Sequence, residues 1–195
     1  MRTASLNRKT RETDIAAALD LDGRGQAEIE TSLGFFQHML ETFARHGAFD
    51  LRMKIDGDLR VDAHHTVEDT GIVLGLAFKE ALGEKTGIAR AGWASVPMDE
   101  TLASAAVDLS GRPFLRWEPR LKGRRLGDLD SGLFEDFFAA FSANLGAAFH
   151  LRAEYGRSDH HKIEALFKAF ARALRQACAE DGRTAGIPSS VKEPS

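Results

Sequence analysis

Cysteine is nearly absent: Cys178 is the only one in 195 residues. A lone thiol excludes an intrachain disulfide framework and fits a reducing compartment. It also leaves any metal to be held by nitrogen and oxygen. Charge of one sign is missing too, because 26 Lys and Arg stand against 29 Asp and Glu, a formal net charge of −3. That balance carries no nucleic-acid footprint and no polybasic membrane patch. No stretch approaches the roughly 18 consecutive apolar residues of a membrane-spanning helix. The opening MRTASLNRKT lacks the apolar run of a secretory signal. The expectation is a cytoplasmic chain with no nucleic-acid or membrane partner. What is present suffices for a buried core, since 43% of the residues are apolar, enough for one domain or two fused halves. Seven histidines are present, and four of them form two adjacent pairs.

Periodicity reads as mixed helix and strand. Residues 2–9, 13–21, 26–31 and 49–56 pattern as strands, while FFQHMLETFARHG from Phe35 and residues 64–82 pattern as helices stopped by Gly47 and Gly83. Strands return at 91–98, 101–109, 114–119 and 149–155, with helices at 133–144 and 159–180. The order is three strands, helix, strand, helix, and then the same again. FDLR at 49–52 returns as FHLR at 149–152, and DAHHTVED at 62–69 returns as SDHHKIEA at 158–165, displaced by 96 residues. His38 and Asp136 occupy matching places on the earlier helix of each half, 98 residues apart. These recurrences predict an α+β fold made by internal duplication, two strand-rich units with helices on one face of each sheet. The chain reads as one domain over 1–195, with repeats at about 1–90 and 91–182 and a polar tail at 183–195.

Each histidine pair begins a predicted helix and is followed by a glutamate. His65 and Glu68 share a face at i, i+3, as do His161 and Glu164. Helical di-metal proteins use this spacing to aim an imidazole and a carboxylate at one ion. Adjacent histidines diverge by roughly 100° around a helix, so His64 and His160 should serve different ions from their neighbours. Imidazole and carboxylate without thiolate suit Mn, Fe or Zn. A bland alternative makes each pair a polar helix start. Two copies in register within a duplicated chain weigh against it.

DAHHTVEDTGIVLG, SDHHKIEALFKAFARALRQA and FFQHMLETFARHGAFDL together resemble the imidazoleglycerol-phosphate dehydratase family, from about Arg11 to about Ser190. The resemblance implies a lyase of histidine biosynthesis that converts D-erythro-imidazole-glycerol phosphate to imidazole-acetol phosphate. It also implies left-handed crossovers, a 24-subunit homo-oligomer with sites between subunits, and two Mn(II) ions per active site. Carried over by motif, the metal ligands are His38, His64, His65, Glu68, His160, His161 and Glu164. Asp136 stands where the family often has a further histidine, and carboxylate can replace imidazole on a hard ion. Several of these, namely His38, His64, Glu68, His160 and Glu164, would also meet the substrate.

Arg90, Arg112 and Lys168 match positions that hold the substrate phosphate, a role suited to their charge. Ser190 and Lys192 belong to an altered tail motif, SSVK. Glu12 matches a substrate-contacting glutamate, and His46 would line the site. His150 and Cys178 read as structural, and the helix-spaced phenylalanines as core. The substrate proton to be removed is not flanked by a carbonyl, so the imidazole ring is its only electron reservoir. Ions on that ring would make it one. Glu12, Glu68 and Glu164 are the acid–base candidates, and Glu12 leads because the other two are expected to be ligands. Two rivals remain: a metallohydrolase using the same donors, and a metal-storage shell. Storage folds need long uninterrupted helices, which Gly47, Gly57 and Gly83 interrupt.

Overall fold

Alternation of apolar and polar residues gives strands with one buried face, and the chain uses two such sets. A computed structural model describes residues 1–182. The first half runs β1 (Thr3–Lys9), β2 (Thr13–Asp20), β3 (Ala27–Thr31), α1 (Gly34–Gly47), β4 (Asp50–Gly57) and α2 (His64–Leu82). The second runs β5 (Ala91–Met98), β6 (Thr101–Asp108), β7 (Phe114–Glu118), β8 (Arg125–Leu126), β9 (Leu129–Asp130), α3 (Leu133–Leu145), β10 (Ala148–Tyr155) and α4 (Asp159–Cys178). The sheets have the same order, β1-β2-β4-β3 and β5-β6-β10-β7. In each, the last two strands are parallel, β3 with β4 and β7 with β10, and the other neighbours are antiparallel. Duplication is therefore visible as topology. The small β8–β9 hairpin is an addition to the second half, and strand periodicity does not predict it.

Register places the apolar residues together. Ile15 lies opposite Ile55 and Leu19 opposite Leu51 in the first sheet, and Val107 opposite Phe149 and Ala105 opposite Leu151 in the second. All eight of these side chains are buried. Helices α1 and α2 cover the first sheet, α3 and α4 the second, and the two helical layers meet through α2 on α3 and α1 on α4. Between them lies a phenylalanine core: Phe43 stacks on Phe170 with centroids 5.7 Å apart, and Phe137 stacks on Phe167 at 5.7 Å. Burying each such ring contributes about 1.5–3 kcal/mol. The α2–α3 contact requires glycine. A Cβ on Gly71 would stand 2.4 Å from the Phe137 carbonyl oxygen, and one on Gly75 would stand 2.8 Å from that of Phe141.

Helix pairing crosses between the repeats. α1 of the first repeat meets α4 of the second, and α3 of the second meets α2 of the first. Histidines and carboxylates from different repeats are thereby brought together.

Candidate active site

Glu164 lies one turn after His160 on α4, and α1 lays His38 beside them. His38 Nε2 is 3.4 Å and His160 Nε2 is 3.2 Å from the same oxygen, Glu164 Oε2. One ligand atom from each of the three falls within 4.8 Å of the others. Two imidazoles and a carboxylate, in reach of one point and free of thiolate, fit a divalent ion of the Mn, Fe or Zn kind. Glu164 is 8% exposed. Burial opposes its ionisation, but Lys168 and His38 outweigh burial and hold its carboxyl below the usual range. Lys168 Nζ lies 2.7 Å from Glu164 Oε1.

The helices that carry this group are fixed at their starts. Leu33 offers α1 no side-chain cap. Asp128 of the hairpin supplies one from outside, accepting from Gly34 N at 2.8 Å and Phe35 N at 3.4 Å. Ser158 caps α4 by accepting from His161 N. Asp159 accepts from Lys122 N at 2.8 Å and Gly123 N at 2.7 Å, tying the preceding loop to the same helix start.

The duplication produces a second, more open group. His64 on α2 has Nε2 at 3.8 Å from Glu68 Oε2 and Nδ1 at 3.4 Å from Asp136 Oδ2 on α3. His64, Glu68 and Asp136 are the repeat counterparts of His160, Glu164 and His38. A cavity of about 560 Å³ opens beside His64, lined also by Leu33, Leu59, Arg125, Asp128 and Leu133. A larger depression of about 650 Å³ lies on the outer face of the first sheet, against Ser5, Ala18 and Arg52. It holds no histidine, so ligand chemistry rather than size singles out the helical groups.

The second histidine of each pair turns away from its neighbour. Ring centroids are 6.0 Å apart in both pairs, with planes at 74° for His64 and His65 and 90° for His160 and His161. His65 Nδ1 faces both oxygens of Asp58 at 3.2 Å, and His161 Nδ1 faces Glu100 Oε2 at 2.7 Å. Asp58 raises the pKa of His65. Backbone N–H of Ser158 and the His161 ring pull the Glu100 carboxyl down to about 2.

Relatives of the whole chain exist. A protein from Koribacter versatilis named imidazoleglycerol-phosphate dehydratase is 57% identical over 192 residues, 98% of each chain. One of the same name from Lachnoclostridium phytofermentans is 53% identical over 189 residues, 97% of this chain and 96% of that one. The family described as imidazoleglycerol-phosphate dehydratase matches residues 31–174. This chain belongs to that family. Solved structures agree. The Staphylococcus aureus imidazoleglycerol-phosphate dehydratase superposes with a TM-score of 0.82 at 36% identity, over 91% of this chain and 99% of that one. The Pyrococcus furiosus enzyme, solved in complex with (S)-C348, gives 0.78 at 33% identity, over 95% of this chain and 98% of that one. The chain is thus a dehydratase of histidine biosynthesis.

Not every residue expected at a dehydratase site gathers in one place. His46 lies on the Lys168 side of the first group. Burial lowers its pKa, and the charges of Lys168 and Arg172 lower it further. Glu12, in the β1–β2 turn, accepts from Asp58 N at 2.9 Å through its carbonyl and acts electrostatically on His65. Arg90 donates from its backbone N to the Ala177 carbonyl and pairs with Asp108 at 2.7 Å. It sits at the far end of α4 from His160, about 25 Å away by helical rise. Arg112 follows Gly111, whose N donates to Gly146 O at 2.9 Å beyond the end of α3. One chain therefore does not bring Arg90 and Arg112 to its own histidines. Ser190 and Lys192 lie outside the described residues.

Sequence reasoning missed Asp58 and Glu100. A signal for Glu100 existed: RETDIAAALDLDGR from Arg11 returns as DETLASAAVDLSGR from Asp99, which pairs Glu12 with Glu100, 88 residues apart.

Proposed function

We propose that the chain removes water from D-erythro-imidazole-glycerol phosphate to give imidazole-acetol phosphate, at sites that hold two Mn(II) ions and are shared between copies. The observation that carries the metal part is the closure of His38, His160 and Glu164 around one point. In this reading those three hold one ion. His64, Glu68 and Asp136 provide the equivalent group, and His65 and His161 complete sites by their Nε2 atoms. Bound there, divalent ions would supply Lewis-acid polarisation of the substrate's imidazole ring.

The residues do the rest. The hydroxyl leaves from the carbon attached to the ring, and a proton leaves from the next carbon. The enol so formed takes a proton at the ring-attached carbon and becomes the ketone. Glu12 is the base for the first proton. Its carboxylate makes no hydrogen bond or ion pair among the described residues, whereas Glu68 and Glu164 are engaged with histidines. Lys168, Arg90 and Arg112, with Ser190 and Lys192 of the tail, bind the phosphate through charge and hydrogen bonds. His46, kept neutral by burial and by its cationic neighbours, can line the pocket without adding charge. Because Arg90 and Arg112 lie far from the histidines of their own chain, the reading requires a homo-oligomer. The family resemblance implies 24 subunits.

The test is conversion of imidazole-glycerol phosphate. Chelator-stripped protein should be inactive and should regain dehydration with Mn(II); full activity without metal would remove the metal reading. Glu12→Gln should lose about 10²–10⁴-fold in kcat, the usual worth of a general base, with metal content unchanged. Near-normal turnover in that variant would remove Glu12 from the proton step.

A further inference from the structure

We propose that Asp58 and Glu100 are a duplicated set of positioning residues that fix the tautomer of His65 and His161, leaving each Nε2 unprotonated toward an ion. The proposal rests on the metal reading above and assigns how these two ligands are aimed. An imidazole that donates from Nδ1 to a carboxylate carries its remaining lone pair on Nε2, and metal-binding histidines are almost always held this way. The contacts are those required: Asp58 at 3.2 Å from His65 Nδ1 and Glu100 at 2.7 Å from His161 Nδ1. The nearest acid to His161 Nε2 is Asp99, at 3.9 Å, beyond hydrogen-bond reach. The first histidines, His64 and His160, meet their carboxylates inside the chain. Only the second member of each pair has this Nδ1 arrangement.

The two repeats reach the same result with different residues. In the second, the carboxylate comes from Glu100 in the β5–β6 turn. Its other oxygen is held by Arg157 N at 3.0 Å and Ser158 N at 2.8 Å. In the first, the equivalent turn carries Glu12, but the histidine is taken instead by Asp58, just after β4. Asp58 therefore relieves Glu12 of the task that its counterpart Glu100 performs. One glutamate of a duplicated pair is free for the proton, and the other is committed to aiming a ligand.

Glu100→Gln separates positioning from folding. The Gln oxygen can still accept from Arg157 N and Ser158 N, so the start of α4 keeps its partners. That fixes the amide the other way round, with its N–H₂ facing His161 Nδ1. The ring must then accept at Nδ1 and carry its proton on Nε2, where it can no longer ligate. Asp58 has no such anchor, so an Asn there could turn its oxygen to the ring; Asp58→Ala is the informative change. The measurement is Mn(II) affinity of the full chain by competition with a chelator, with thermal melting of the metal-free protein alongside. Each variant should bind Mn(II) about 10–100-fold more weakly while the metal-free melting temperature of Glu100→Gln stays at the wild-type value.

If wild type binds Mn(II) and both variants bind it equally well, the positioning role is wrong and the metal reading stands. If wild type binds no Mn(II), both fall. Should Glu100→Gln fail to fold, Asp58→Ala decides alone, because the Asp58 side chain supports no helix start.

Discussion

His46 carries a pH dependence set by its surroundings. Burial, then Lys168 and Arg172, lower its pKa against the pull of Glu164, from an ordinary value of 6.5. Below that value the unfolded chain takes up a proton that the folded chain resists. The contribution of neutral His46 is thus complete above about 6.5 and declines as pH falls toward the lower folded pKa. Urea midpoints of metal-free protein should fall between about pH 7 and about pH 5, and His46→Gln should flatten that fall. Equal slopes would show the ring titrating as it does in water. Titration of this kind is invisible in RHGAFD, where the flanking cations belong to a helix more than a hundred residues away. The same limit hid the orienting acids. Adjacent histidines are conspicuous in a sequence, but the acid that aims His161 stands 61 residues before it, in another strand turn. Only the counterpart relation of Glu12 and Glu100 points there.

Elements are set by alternation and helical spacing, and those patterns are strong here. Strands and helices lie where periodicity puts them because each buries one face against the same phenylalanine core. The β8–β9 hairpin escapes this logic, since arms of two residues show no alternation. Its importance is tertiary: Asp128 caps α1, which lacks a cap of its own. The close approach of α2 and α3 is also tertiary, though its glycines are at helical spacing. Gly71→Ala puts a methyl 2.4 Å from a backbone carbonyl that has little room to retreat. The helices must separate, at a cost of about 1–3 kcal/mol for such overpacking. Denaturant unfolding should show this loss. Because α2 carries His64 and Glu68 while α3 carries Asp136, the affinity of that group for Mn(II) should weaken too. Unchanged stability would mean that the helices have slack which the contact distances deny.

At the scale of the whole molecule, ligand groups and phosphate-binding arginines lie at opposite ends of the second sheet's helices. α4 alone separates His160 from the Arg90 backbone contact by about 25 Å, too far for a substrate the size of imidazole-glycerol phosphate to bridge. If both act in catalysis, each site takes them from different copies. Mixing two inactive variants tests this. His160→Ala removes a ligand and Arg112→Ala removes a phosphate contact. Each alone should assemble into an oligomer with little turnover. Chains of both kinds, unfolded together in equal amounts and refolded, should regain about a quarter of wild-type activity, because a site drawing the two residues from different copies receives both intact forms at that frequency under random, symmetric assembly. Sites drawing both residues from one copy would regain none, since every chain in the mixture carries one of the two lesions. Recovery should grow with co-refolding and be absent when the separately folded oligomers are merely combined, which separates subunit sharing from contamination by wild type.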